Sequence, residues 1–325
     1  MRKMKRAFWV LTSLVLILTL NGWVEQSYSQ TNYPTRAIEL VVANPPGGSI
    51  DLTARVAAQY LSKKWGVPVN VVNKAGGKSI PGTYEVFHST PNGYTMFNDS
   101  AGTSEFLIVA EKNLPYDIME RTFIGTHSAV SYLLVIPAKS KYRTLQEFIM
   151  ECKNNPENIT YTSLAGTTSI ELAIRQFFSA IGADISKTKP ILCSGGAEAV
   201  TLTAGGHVIL GSAGTSGWLP SIQGGTVKPL FITSRERNPL LPDVPTSAEV
   251  GLPTVTATNW FGISGPPKIP PHIVKIWEDA LREMVKDPEM LEKFKKIGAV
   301  SFHLEGPDLK KFIVKNLEDI KMFWK

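Results

Sequence analysis

The chain has 325 residues, of which 43% are hydrophobic and 19% are charged, a composition that fits a folded globular protein and excludes a largely disordered one. This length exceeds what one ordinary hydrophobic core supports, so about two domains are expected. Half of the formal net charge of +6 lies in the first 29 residues, and no cluster of Lys and Arg with interleaved aromatic residues follows. We therefore expect no nucleic-acid-binding surface.

Residues 1–29 have the pattern of an export signal. A basic leader, Met1–Arg6, precedes an apolar core at 7–20, and Ser27 and Ser29 supply the small residues of a cleavage site. A membrane-spanning helix needs about 20 apolar residues, and this shorter run is interrupted by Thr and Ser. The pattern favours cleavage near Ser29 over a retained anchor, and it predicts a periplasmic protein.

After the signal, apolar runs of strand length alternate with segments of helical periodicity, which indicates an α/β protein with parallel strands. The predicted strands are 37–43, 67–72, 95–97, 132–136, 159–162, 208–210 and 227–233. The predicted helices have their apolar faces within 52–61, 145–152, 170–178, 273–284 and 309–320. We expect Gly66 to end the first helix, and the proline-rich residues 239–253 to form a long ordered loop.

The loop Asn44–Asp51 lies at the carboxyl end of the first strand, where open parallel sheets bind ligands. Its prolines end the strand, and Gly47 and Gly48 let the backbone approach a guest or adopt a positive φ. Ser49 or Asp51 can cap the following helix, whose remaining N–H groups favour an anion. The spacing matches neither a P-loop nor a dinucleotide-binding loop, so it favours a carboxylate. A strand-to-helix turn without a ligand is equally compatible with this loop alone.

Three further loops rich in Ser, Thr and Gly follow predicted strands, namely Asn98–Ser104, Ser163–Ser169 and Gly211–Gly217. One such loop is ordinary turn chemistry, but four at successive strand ends predict a cleft lined with small hydrogen-bond donors.

Catalytic interpretations find little support. The five histidines have no metal-ligand spacing, and the nucleophile motif G-x-S-x-G is absent from the sequence. Cys152 and Cys193 have no metal or redox spacing, and both a disulfide and two free thiols stay open. The sequence predicts no cofactor, no metal and no catalytic residue, although a site assembled from distant residues stays open.

Five segments closely resemble the Bug-type solute receptors of tripartite tricarboxylate transporters, in family order. They are Pro45–Asp51, Trp65–Asn73, Pro91–Thr95, Leu241–Gly251 and Asn259–Gly262. The likeness covers nearly all of the chain from Tyr33 to Lys325.

The resemblance implies the α/β fold of a two-lobed periplasmic binding protein, a type II-like Venus-flytrap with a central, mostly parallel sheet in each lobe and two crossover strands. Residues 33–131 with 257–325 would form lobe 1, and residues 132–256 would form lobe 2. Members of this family bind small organic acids between the lobes, through backbone N–H groups and ordered waters at the Pro-Pro-Gly-Gly loop and its counterpart.

Two departures from the family concern the ligand. Glu171 stands where the family usually has a histidine, Ile209 where it often has an aspartate, and Glu105 adds an acid near the third loop. A nearby carboxylate repels a dianion, which favours a ligand with one carboxylate and an uncharged or cationic far end over a dicarboxylate or citrate. Alternatively, Glu171 faces solvent on the first turn of its helix.

Together these observations predict a monomeric receptor that binds a small organic acid and delivers it to the integral-membrane permease subunits of a tripartite tricarboxylate transporter. A receptor that feeds a sensor is the alternative within the class, and a secreted hydrolase or lyase is the alternative outside it. The expected ligand-binding residues are Pro46, Gly47, Gly48, Ser49, Asp51, Ser163, Thr167, Thr168 and Ser169, with Ser100, Thr103, Ser212 and Thr215 as further donors.

Overall fold

The structure, a computed structural model, describes residues 32–164 and 169–323 of the chain. The export signal predicted at 1–29 lies outside these residues. Residues 36–325 belong to one unit, and the fold given below is that of its described part. Among the described residues, no helix combines the length and the apolar character that crossing a membrane requires.

The described part contains ten strands and ten α-helices. The strands are β1 (Ile38–Val42), β2 (Val69–Asn73), β3 (Thr95–Ser100), β4 (Thr122–Pro137), β5 (Thr160–Ser163), β6 (Lys189–Leu192), β7 (Gly211–Gly214), β8 (Val227–Ile232), β9 (Thr258–Gly265) and β10 (Val300–Ser301). The helices are α1 (Ser49–Trp65), α2 (Ile80–Phe87), α3 (Leu107–Ala110), α4 (Leu145–Asn154), α5 (Ser169–Ile181), α6 (Gly196–Ala204), α7 (Thr215–Gln223), α8 (Pro271–Met284), α9 (Pro288–Lys296) and α10 (Gly306–Met322).

The main sheet is mixed and runs in the order β10-β4-β9-β3-β1-β2. Strand β1 pairs in parallel with β2 and β3, and β5 pairs in parallel with β6, as the alternation of strands and helices predicts. All pairs of β4 and β9 are antiparallel. These two strands carry the chain across the molecule in opposite directions, which explains the antiparallel pairing.

The long strand β4 connects two groups of strands. Its residues up to Ser131 pair with β9, and its residues from Tyr132 onwards pair with β7 and β8. We call β1, β2, β3, β9 and β10 the outer strand group, and β5 to β8 the middle strand group. The change of partner falls between Ser131 and Tyr132, and the chain returns to the outer group at Thr258, where β9 begins. The limits of the two lobes stay a prediction.

Helix α1 confirms its prediction. Its buried face includes Ile50, Ala54, Ala57 and Leu61, which recur at helical spacing. Gly66 ends the helix in the left-handed region at φ 68°, and its N–H donates to the carbonyl of Ser62.

Two loop predictions are wrong. Strand β3 continues past Phe97 to Ser100, so Asn98 is not in a loop. Residues Gly211–Gly214 form β7, although 208–210 was the predicted strand. In β7 the backbone passes so close to α6 that a Cβ on Gly211 would lie 2.2 Å from Thr203 Oγ1. A strand made of small residues fits this space, and it lacks the apolar pattern that predicts strands.

Candidate ligand-binding cleft

A cleft of about 530 Å³ is lined by both strand groups. The described residues that line it are 43–45, 48–50, 75–79, 100, 102, 103, 130, 132, 164, 170, 192–198, 213, 214, 217 and 259. Its volume lies within the range of small-molecule pockets, roughly 300–1,000 Å³. The cleft is therefore large enough for a small organic ligand.

The N-terminus of α1 forms one wall of the cleft. Gly48 is the N-cap residue and has an extended backbone. The helix has no side-chain hydrogen bond that caps this end. Within the described residues, the N–H groups of Ser49 and Ile50 donate no hydrogen bond, and both residues line the cleft. Two unpaired N–H groups at the positive end of a helix form an anion-binding position.

The structure places Asp51 behind this wall rather than in the cleft lining. Its carboxylate accepts hydrogen bonds from the N–H of Gly47 at 3.0 Å, from Asn73 Nδ2 at 3.0 Å and from Arg55 Nε at 3.0 Å. Burial opposes its ionisation, but the hydrogen bonds from Arg55, Gly47 and Asn73 outweigh burial and lower the pKa of Asp51. Asp51 therefore shapes the loop that includes Pro46 and Gly47, which also lie outside the cleft lining.

The N-terminus of α6 forms a second wall with the same design. Gly195 is its N-cap residue, again without a side-chain cap, and the N–H groups of Gly196 and Ala197 donate no hydrogen bond to any described residue. Glu198 accepts hydrogen bonds from the N–H of Ser194 at 2.7 Å and from its Oγ at 2.6 Å. In both helices, an acid three residues after the N-cap glycine binds the residue that precedes this glycine. Sequence reasoning missed this second loop, and the shared spacing of glycine and acid is the signal that indicates it.

Ser100 and Thr103 line the cleft and are held from behind by Asp99. The carboxylate of Asp99 accepts hydrogen bonds from the N–H of Ser100 at 2.8 Å and from Thr103 Oγ1 at 2.8 Å. A fully buried ion pair with Arg121, at 3.2 Å, neutralises Asp99. The two hydroxyl groups are thus fixed in position by a charged network that itself stays out of the cleft.

Four other expected residues lie beside the cleft rather than in its lining. Ser163 Oγ donates to Glu171, the hydroxyl of Ser169 shares a hydrogen bond with Tyr132, and Thr215 Oγ1 donates to the carbonyl of Ser131. Ser212 is fully buried, and its N–H donates to Thr162 Oγ1. Thr167 and Thr168 lie outside the described residues.

The acids expected to influence selectivity are buried away from the cleft. Glu171 is 2% exposed and pairs with Arg175 at 2.7 Å, so the alternative that it faces solvent is wrong. Glu105 accepts a hydrogen bond from Trp260 Nε1 at 2.9 Å, and burial raises its pKa to about 7. Neither acid is among the residues that line the cleft.

Sequence reasoning also missed several residues that line the cleft, on the strands β4 and β9 and in the loop after β6. Tyr132 and Asn259 line the cleft on β4 and β9, and burial raises the pKa of the Tyr132 phenol. Cys193 lines the cleft as a free thiol whose pKa burial raises to about 11, and Cys152 is also free. The disulfide that the sequence left open does not form in the structure.

Two comparisons with known sequences agree with one another. The model of a family described as tripartite tricarboxylate transporter family receptor matches residues 53–324. The protein BugT of Bordetella pertussis is 29% identical over 291 residues, which cover 89% of this chain and 88% of BugT.

Solved structures show the same fold. The structure of the periplasmic binding protein BugD has a TM-score of 0.81 at 26% identity, over 90% of this chain and 97% of that one. A structure described as a periplasmic transporter has a TM-score of 0.82 at 26% identity, over 89% of this chain and 96% of that one. The α/β fold is thus that of two-lobed periplasmic binding proteins.

Proposed function

Because the chain belongs to the receptor family of tripartite tricarboxylate transporters, we propose that it captures a small organic carboxylate in the periplasm and delivers it to the membrane permease of such a transporter. The observation that carries this proposal is the N-terminus of α1, which faces the cleft with two unpaired N–H groups. Such groups stabilise a carboxylate without a salt-bridging cation, which keeps the binding reversible.

The ligand's carboxylate binds the N–H groups of Ser49 and Ile50, while Ser100 and Thr103 supply hydroxyl groups from the same wall. Residues 33–131 with 257–325 and residues 132–256 act as two lobes, with β4 and β9 as the crossover strands. The ligand contacts both lobes only when they close on it, so binding shifts the population toward the closed state. The permease then recognises the closed form.

The protein has no catalytic role in this proposal, and the test exploits that. Purified protein is incubated with a panel of carboxylates, and both thermal stability and turnover are measured. We expect one or a few acids to raise the melting temperature at stoichiometric ratios, because a ligand that binds only the folded state stabilises it. Conversion of any acid at catalytic ratios would contradict the receptor function and indicate a hydrolase or lyase instead.

Export and delivery have separate tests. Osmotic-shock fractionation is expected to release the protein with an N-terminus near residue 30. Membrane vesicles that contain the cognate permease are expected to take up labelled acid only when the loaded protein is added. Uptake that needs no added protein would contradict delivery, and retention in the cytoplasm would contradict export.

A further inference from the structure

The two helix N-termini at the cleft differ in charge. At α1, Asp51 is buried and lies 2.9 Å from the guanidinium of Arg55, so the acid of this wall is neutralised. At α6, Glu198 is exposed and binds Ser194, and no cation among the described residues lies within salt-bridge distance of it. A carboxylate is therefore favoured at α1 and repelled at α6.

The lining offers little to hold a second negative charge. Among the described residues that line the cleft, Lys78 is the single cation, and it forms an ion pair with Glu111. A second carboxylate would have to break the Lys78–Glu111 pair and approach Glu198.

An exposed apolar side chain, that of Leu192, lies in the same wall of the cleft as the N-terminus of α6. Leu192 is 68% exposed, the highest fraction among the exposed large hydrophobic residues of the described part, and it lines the cleft. Leu164, Ile170 and Val130 line it as well. Covering an exposed Leu with an apolar group is favourable, so this wall suits a hydrocarbon better than a charge.

We infer that the cleft takes a monocarboxylate with an apolar body, whose carboxylate binds at α1 and whose body covers Leu192, and that Glu198 excludes dicarboxylates. This inference rests on the proposed function and names its substrate class. It does not depend on Glu171 or Glu105, which are buried elsewhere. Specificity here comes from a repulsive element as well as an attractive one.

The test compares acids that differ only at the far end. Hexanoate, 6-aminohexanoate and adipate have the same chain length, and benzoate and terephthalate form an aromatic pair. Isothermal titration is expected to give the tightest binding for hexanoate and benzoate. Their affinities should be on the order of tenfold higher than those of the matching diacids, adipate and terephthalate. Tighter binding of adipate, terephthalate or 6-aminohexanoate would overturn this inference and leave a carboxylate receptor standing. If none of the five binds while another acid of the panel raises the melting temperature, this inference is overturned and the proposed function stands. If no acid of the panel raises it, both are overturned.

Two variants assign the roles of the residues. Glu198→Gln keeps an acceptor for Ser194 and removes the charge, so it should bring the affinity for the diacid close to that for the monoacid. Leu192→Ser should weaken binding of the monoacid on the order of tenfold, with an unchanged melting temperature of the free protein. Leu291→Ser, at an exposed leucine outside the cleft, is the matched control and should change neither. If Glu198→Gln leaves the selectivity unchanged, Glu198 does not exclude diacids. If Leu192→Ser leaves the affinity unchanged, Leu192 does not contact the ligand. Either result would contradict the inference.

Discussion

The hydroxyl groups of Ser49 and Ser216 form a hydrogen bond of 2.6 Å between the first turn of α1 and the first turn of α7. The contact joins α1, which follows β1 of the outer strand group, to α7, which follows β7 of the middle strand group, at the edge of the cleft. Gly214 permits it, since a Cβ there would lie 2.4 Å from Ser49 Oγ. In the proposed receptor, this hydrogen bond stabilises the closed state.

Removing that hydrogen bond should weaken ligand binding. We expect Ser216→Ala to lower the affinity for the stabilising acid about 2- to 10-fold, because one hydrogen bond contributes about 0.5–1.5 kcal/mol. Ser216 does not line the cleft, so the loss reports on closure rather than on direct contact. Titration calorimetry measures the affinity, and Ser221→Ala on the same helix is the control. Equal affinities of Ser216→Ala and wild type would remove this contact from the closing mechanism.

A carboxylate built into the protein should compete with the ligand. Gly48 is the N-cap residue of α1, has an ordinary negative φ, and a Cβ there meets open space. Gly48→Asp places a capping carboxylate on the free N–H groups, so it should stabilise the free protein by about a few tenths of a kcal/mol and abolish stabilisation by acids. Gly48→Ala adds the Cβ without the charge and should retain binding. Full binding by Gly48→Asp would exclude this helix end from the site.

Asp51 should stabilise the fold above its own pKa. Its pKa is lowered below its usual value of 3.8 in the folded protein, so its contribution is present at neutral pH and disappears as the pH falls through the folded pKa. We expect Asp51→Asn to reduce the free energy of unfolding by about 1–3 kcal/mol at pH 7 and by less at pH 3. Urea unfolding at the two pH values measures this, with the exposed Asp308→Asn as control. A loss that is the same at both pH values would contradict the assignment.

Glu105 should make stability depend on pH in the opposite sense. Its pKa rises from 4.5 to about 7 on folding, so the folded state binds a proton that the unfolded state releases, and stability falls as the pH rises from about 4.5 to 7. Glu105→Gln should remove this fall. The free energy of unfolding of the variant relative to wild type should therefore be higher at pH 8 than at pH 5, by on the order of 3 kcal/mol at most. Urea unfolding of wild type and variant provides the measurement. The exposed Glu318→Gln on α10 is the control. Parallel curves for wild type and Glu105→Gln would contradict the prediction.

The sequence predicted the elements whose pattern is apolar and periodic. Strand β1, helix α1 and the position of Gly48 and Ser49 in the cleft follow from such patterns. It failed where polar residues are buried in strands. Asn98 lies inside β3 because its amide donates to the carbonyl of Ile50 and accepts from His127, and no local pattern shows these distant partners.

The second helix end escaped prediction for a related reason. Strand β6 precedes it, and the exposed Lys189 and Pro190 give this strand no apolar run that would mark it. Glu171 was misplaced because Arg175 neutralises it inside the protein and Ser163 donates a hydrogen bond to it, and an acid in the first turn of a helix does not by itself indicate this burial.

The most direct measurement is the crystal structure of the protein with the acid that raises its melting temperature most. The account predicts a carboxylate oxygen about 3 Å from the backbone nitrogens of Ser49 and Ile50. A complex in which the acid lies elsewhere, and water or protein groups occupy these two N–H groups, would contradict it.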